Sequence, residues 1–251
     1  MLAQEWKVKL YILHILDTKD EKGLEIKTKD IEAQIHEELP KSKTEVEILV
    51  AAGEIADSIT EIASQRGCGL IVTGVARYDS VGDIFLGNPV DQLVQYARHP
   101  VLIVKQRPMR NYKNIIIATD FSDCSLYALN TAADLFPYPT LHLVHAYQPP
   151  SQTWLKSEQG VSDVPSEQQR LMDRFLAKTA ISDTVFDRLN ASIEEGDLAQ
   201  VLLDRIDKTK SDLVVLGAHG RSGFTQATIG HNAKTILGCA RQDVLLVREP
   251  K

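Results

Sequence analysis

Residues Gly217–Asn232 read GAHGRSGFTQATIGHN, between the apolar run DLVVL and the helically spaced AKTILGCA. Residues Gly74–Pro89 read GVARYDSVGDIFLGNP, with glycines at nearly the same places. Setting the two in register gives an offset of 143 positions, the distance from Gly74 to Gly217. Under that offset Gly53 falls on Gly196, Gly87 on Gly230 and Val104 on Val247, without a gap. Self-similarity over such a span marks an internal repeat. Upstream, LYILHIL (Leu10–Leu16) matches LHLVHAY (Leu141–Tyr147) at an offset of 131, the distance from Leu10 to Leu141. The difference, 143 less 131, leaves 12 extra residues in the second half. They fall within 148–169, a polar stretch expected to be a mobile insertion.

The repeat carries the fold class. Each apolar run is short, continuous and rich in β-branched residues, as parallel strands buried on both faces are. Helical patterns separate the runs, which makes βαβ crossovers. The second half reads in full. Strands are expected at Asn114–Ala118, Leu141–Ala146, Val185–Ile193, Leu213–Leu216 and Val244–Val247. Helices are expected at Ser125–Leu135, Ser166–Ser182, Leu198–Thr209 and His231–Ala240. We therefore expect an α/β protein of two tandem doubly wound units, 1–108 and 109–251, with five-stranded parallel sheets in the order 3-2-1-4-5. The join falls in QRPMRNY, Gln106–Tyr112. The counterpart of Asn114–Ala118 would fall before Met1, so the first unit is expected to lack its first strand and most of its first helix. That strand is central in such a sheet, and its loss leaves unpaired edges.

Composition narrows the function. Hydrophobic residues make up 43% of the 251 and charged residues 25%, the balance of a soluble globular protein. The net charge is −6 and no stretch collects Lys or Arg, which argues against nucleic-acid binding through a basic face. No apolar run approaches the length needed to span a bilayer, so no membrane partner is expected. MLAQEWKVKLYILHILD lacks the pattern of a signal peptide, and a cytoplasmic location is expected. Cys68, Cys124 and Cys239 lack metal-ligand spacing and read as buried or partly buried small residues.

Gly217, Gly220 and Gly230 follow the spacing G-x2-G-x9-G, and IIIATDFSDCSLYAL opens the same half as strand, acidic turn and helix. This combination resembles the universal stress protein family, over 113–248 closely and over 1–105 more loosely. The family's signature is G-x2-G-x9-G-(S/T). In members that bind ATP, the resemblance implies a base and ribose side at Ala118, Thr119 and Asp120, with Ala146 adding backbone. It implies a phosphate side at Gly217, Gly220, Arg221, Gly230, His231 and Asn232. Physical reasons agree: ligands of such folds lie beyond the carboxyl ends of the strands. Glycines let backbone N–H groups approach phosphate, and a helix N-terminus favours an anion. The cofactor implied is ATP, with ADP, AMP and Mg2+ as further candidates. Dimers in the family form through the last strands, so a homodimer or an internal pseudo-dimer is expected.

Three departures shape the expectation. His231 stands where the family has Ser or Thr; it is bulkier, and its charge can change near neutral pH. In the first half Arg77 replaces the middle glycine and Asn88 the hydroxyl residue, so that half is expected not to bind nucleotide. GAHGRSG lacks the terminal Lys-Ser/Thr of a P-loop, so a binding module rather than an enzyme is expected. The alternatives are a nucleotide-independent stress protein acting through assembly and partners, and a slow ATPase. His14 and His145 hold equivalent repeat positions and read as hydrogen-bonded, half-buried rings. His219 reads as packing within its loop, and Ser122 and Asp123 as caps of the following helix.

Overall fold

The computed structural model describes residues 1–16, 24–75, 92–94, 97–148, 164–219 and 230–249, without the side chains of 24–27. Gly220 and Arg221, Arg77 and Asn88 of the twin segment, and most of the 148–169 insertion lie outside the described residues. The chain divides into two compact units, Met1–Cys68 with Pro108–Asn111, and Gly69–Arg107 with Tyr112–Lys251.

The first unit holds α1 (Leu2–Trp6), β1 (Leu10–Leu16), α2 (Leu24–Glu38), β2 (Val46–Ala52) and α3 (Ile55–Gln65). The crossover through α2 makes β1 and β2 parallel, in register from Leu10↔Val46 to Leu16↔Ala52. Neither strand carries a buried residue; Ala56 and Ala63 of α3 are the buried positions among the described residues of this unit. Lys9 pairs with Glu45 and Glu47, and Arg66 with Glu47, at the sheet surface. Such exposed pairs contribute little to stability.

The second unit is built on a seven-stranded sheet, ordered β3-β4-β9-β8-β5-β6-β7. Its strands are β3 (Ile71–Gly74), β4 (Val101–Val104), β5 (Asn114–Ala118), β6 (Thr140–Tyr147), β7 (Leu189–Glu195), β8 (Leu213–Gly217) and β9 (Asp243–Val247). Its helices are α4 (Asp123–Leu135), α5 (Val164–Leu176), α6 (Asp183–Phe186), α7 (Leu198–Thr209) and α8 (His231–Cys239). The five strands after residue 112 are parallel, and β5 lies between β6 and β8. Ile115, Ile116, Ile117, Leu213, Val214 and Val215 are 0% exposed, so both faces of the central strands are covered. The strands of the first half, expected as a unit without its central first strand, divide: β1 and β2 pair alone and β3 and β4 extend the larger sheet. The reason is pairing: β5 joins β6 to β8, whereas β1 and β3, their repeat equivalents, have no such strand beside them among the described residues.

The join between β4 and β9 is antiparallel, with Leu102 opposite Leu245. These two are repeat equivalents, 102 plus 143 being 245, so a local two-fold axis passes through the pair. The cations that follow the two strands act reciprocally. Lys105 Nζ donates to Leu237 O and Ala240 O at the end of α8. Arg248, its equivalent, donates to Val94 O, the equivalent of Leu237. Buried Asp243 accepts from Lys105 N at 2.8 Å and from the Tyr112 hydroxyl at 2.6 Å. Burial lowers the pKa of Lys105 to about 8 and raises that of Tyr112.

Candidate functional site

The carboxyl ends of β5, β6 and β8 meet around a cavity of about 350 Å3. Ala118, Thr119 and Asp120 line it from the end of β5, and Ala146 from β6. Gly217 lines it from β8, and Gly230, His231 and Asn232 from the start of α8. Every sequence-predicted site residue within the described set is therefore at one place. Sequence reasoning missed Ser125 and Leu198, which helix docking brings to the cavity, and Leu216, Ala218 and Ala233, which adjoin the motif residues in the chain. His219, read as loop packing, lines the cavity as well.

The turn after β5 is internally bonded. Ser122 caps α4 by accepting from Ser125 N. Its hydroxyl donates to Asp120 Oδ1, and its N–H donates to the same oxygen at 3.1 Å. The buried Ser125 hydroxyl donates to Ser122 O, so the 2.9 Å contact between Thr119 Oγ1 and Ser125 Oγ has Thr119 as donor. Thr119 Oγ1 then accepts from Phe121 N. Phe121 has φ 62°, left-handed backbone that costs a bulky residue on the order of 1–3 kcal/mol. Its ring lies 4.1 Å from the His145 ring and 5.7 Å from that of Phe175 on α5.

On the opposite wall, backbone groups are partly committed. Ala218 N donates to Val247 O, and Gly230 N donates to Ala218 O. A Cβ on Gly217 would lie 3.0 Å from Cys124 Sγ, so this glycine serves close packing of β8 on α4. The first turn of α8 differs. Gly230 caps it without a side-chain hydrogen bond and no acidic residue lies in that turn. The N–H groups of His231, Asn232 and Ala233 precede the first helical bond, Lys234 N to Gly230 O. They make a partial positive charge facing the cavity.

A small-molecule pocket measures roughly 300–1,000 Å3. This cavity falls within that range, and it combines small apolar walls, a carboxylate and a helix N-terminus. The residues present fit a nucleotide. Among the described residues no group of His, Cys, Asp or Glu is gathered for a metal ion, and no helix is long and apolar enough to cross a membrane. The three cysteines are free; Cys124 is buried and Cys68 half-buried, but Cys239 is exposed, against the sequence reading, because it faces outward on α8.

The universal stress protein family model matches the chain twice, over residues 1–105 and 111–248. The chain belongs to the universal stress protein family, as a tandem of two such domains with α/β folds. It is 25% identical over 213 residues to a universal stress protein of Mycobacterium tuberculosis, covering 80% of this chain and 65% of that protein. It is 23% identical over 192 residues to universal stress protein E of Photorhabdus laumondii, covering 71% and 61%. The chain thus spans less than two thirds of the length of these curated relatives. Among solved structures, a universal stress protein from Archaeoglobus fulgidus superposes with a TM-score of 0.67 at 14% identity, over 96% of this chain and 87% of that one. A functionally unknown protein from Pseudomonas aeruginosa superposes with a TM-score of 0.66 at 22% identity, over 99% and 85%. At these identities the superpositions bear on the fold.

Proposed function

We propose that this protein is a stress-response regulator that binds an adenine nucleotide, ATP foremost, in the cavity of its C-terminal half. One observation carries the reading: Asp120, Ala146, Gly217 and the first turn of α8 line a single cavity at the carboxyl ends of the strands. Asp120, with Thr119 and Ala118, would hold the base and ribose end. The N–H groups at the start of α8, with His231 and Asn232, would face the phosphates; Gly220 and Arg221 belong to the same loop in sequence. A bound nucleotide supplies the negative charge that this helix end favours. The protein acts as a binding module of the cytoplasm rather than as an enzyme. The division near residue 108 separates a binding half from a half that serves as its built-in partner through the β4–β9 pairing.

The test is calorimetric titration of the purified protein with ATP, ADP and AMP, with and without Mg2+. Wild type is expected to bind ATP, and Asp120→Ala to lose the binding. Absence of heat at millimolar nucleotide would reject the reading. Phosphate release above a protein-free blank would reassign the protein as an ATPase.

A further inference from the structure

We propose that Phe121 and His145 are positioning residues for this site: they hold the Thr119–Phe121 turn in the form that carries Asp120 to the cavity. The inference rests on the nucleotide reading above and extends it to residues that do not line the cavity.

Three observations carry it. Phe121, Lys7 and Lys210 are the non-glycine residues with positive φ among those described. The two lysines end helices, where left-handed backbone is the ordinary cap. Phe121 instead lies between the end of β5 and the cap of α4, directly after Asp120. A bulky residue stays in that conformation where its surroundings over-determine it. Here those surroundings are the His145 and Phe175 rings against the Phe121 ring.

Second, His145 ties the same turn to two elements. Its Nδ1 lies 2.8 Å from Thr119 O, which only accepts, so Nδ1 carries the proton. Its Nε2 lies 3.2 Å from the Gln168 side chain on α5. The backbone on one side of Asp120 is thus pinned by the ring nitrogen of His145, and the backbone on the other side by the ring it stacks on.

Third, the internal repeat supplies a comparison. His14 holds the position of His145 in the first half, and there the histidine is exposed. The residue is buried in the half that also contains the β5 turn. His145 is buried together with Leu141, Leu143 and Val144 where β5 lies beside β6, so its burial comes with β5 and the turn that follows it rather than from the strand's own sequence.

The experiment compares wild type, His145→Leu, His145→Asn and Phe121→Gly by calorimetric titration with adenosine, AMP and ATP. Phe121→Gly keeps the fold, since glycine takes this φ without strain, but removes the wedge. Losses of about tenfold or more are expected for His145→Leu and Phe121→Gly, equal for all three ligands because the base and ribose end is common to them. His145→Asn, which can still donate to Thr119 O, is expected to recover most of the affinity. Wild-type affinity in both His145→Leu and Phe121→Gly would overturn the inference while leaving the nucleotide reading intact. A loss that grows with the number of phosphates would overturn it as well, since the effect would then act at α8. Silence of the wild type toward all three ligands would overturn the reading and the inference together.

Discussion

Gly196 and Gly217 differ in what they need from lacking a side chain. Gly196 has φ 150°, and a Cβ there would also lie 3.0 Å from Val201 Cγ2. Its repeat equivalent Gly53 has φ 144° and would meet Ser58, the equivalent of Val201. Gly217 is required for close approach: its Cβ would meet Cys124 Sγ at 3.0 Å and the Cys124 backbone at 3.3 Å. Gly230 would meet only Ala218 O, at 3.5 Å, and its φ of −56° suits any residue. Gly196→Ala and Gly217→Ala are therefore expected to destabilise the protein by about 1–3 kcal/mol each. Gly230→Ala is expected to cost about 1 kcal/mol or less, as the loss of a favourable cap residue. Urea denaturation of the three variants checks the order; equal midpoints would refute it. The glycine spacing was legible as a site, because it survives in the letters. The separate reason for each glycine was not, since Cys124 reaches Gly217 through the packing of α4 on β8, and the contact of Val201 with Gly196 depends on the backbone angle at the start of α7.

Elements were legible where a periodic run ended in a strong signal, and less so where tertiary bonds decide the end. The helix expected over Ser166–Ser182 stops at Leu176. Lys178 N and Thr179 N donate three residues back, to Phe175 O and Leu176 O, and tighten the last turn. Ser182, extended at ψ 156°, then opens the separate α6, which delays β7 to Leu189. The end of α8 is set from a distant part of the chain. Lys105 Nζ lies 2.7 Å from Ala240 O and also bonds Leu237 O, carbonyls that the helix itself cannot satisfy. Among the described residues Arg248 offers Val94 O one 3.4 Å contact, and its Nε is buried without a hydrogen-bond partner. Lys105→Met should therefore destabilise by about 1–3 kcal/mol, because two carbonyls lose their charged donor. Arg248→Met should cost less, because it also relieves a buried unpaired nitrogen. Thermal or urea unfolding of both variants tests the asymmetry, and a larger loss for Arg248→Met would contradict it. Residues Lys105 and Arg248 align in the repeat, but no sequence pattern shows that each reaches backbone carbonyls of the other half.

At the scale of the molecule, the repeat predicts likeness between the halves while the burial predicts unequal stability. β6 and β1 have similar sequences, LHLVHAY and LYILHIL. β6 is flanked by β5 and β7 and has four buried residues, whereas β1 pairs with β2 and has none. The difference arises from neighbours, which the similar sequences of these two strands do not show by themselves. A two-stranded sheet is marginal by itself, and the apolar strands of the first unit remain partly in water. The central strands of the second unit, by contrast, are sealed on both faces, with Ile115–Ile117 and Leu213–Val215 at 0% exposure. Opening that exposes little additional apolar surface requires little free energy, so the two regions should open separately. Native-state hydrogen exchange measures this residue by residue. Amides in β1 and β2 are expected to exchange with opening free energies lower by about 3 kcal/mol or more than those in β5 and β8. Low urea should narrow the gap, because opening free energy falls with urea in proportion to the surface exposed, so the global opening that frees the β5 and β8 amides falls faster than the smaller opening of β1 and β2. Equal opening energies in the two regions, converging on one global value, would instead show that the halves unfold as a single cooperative body.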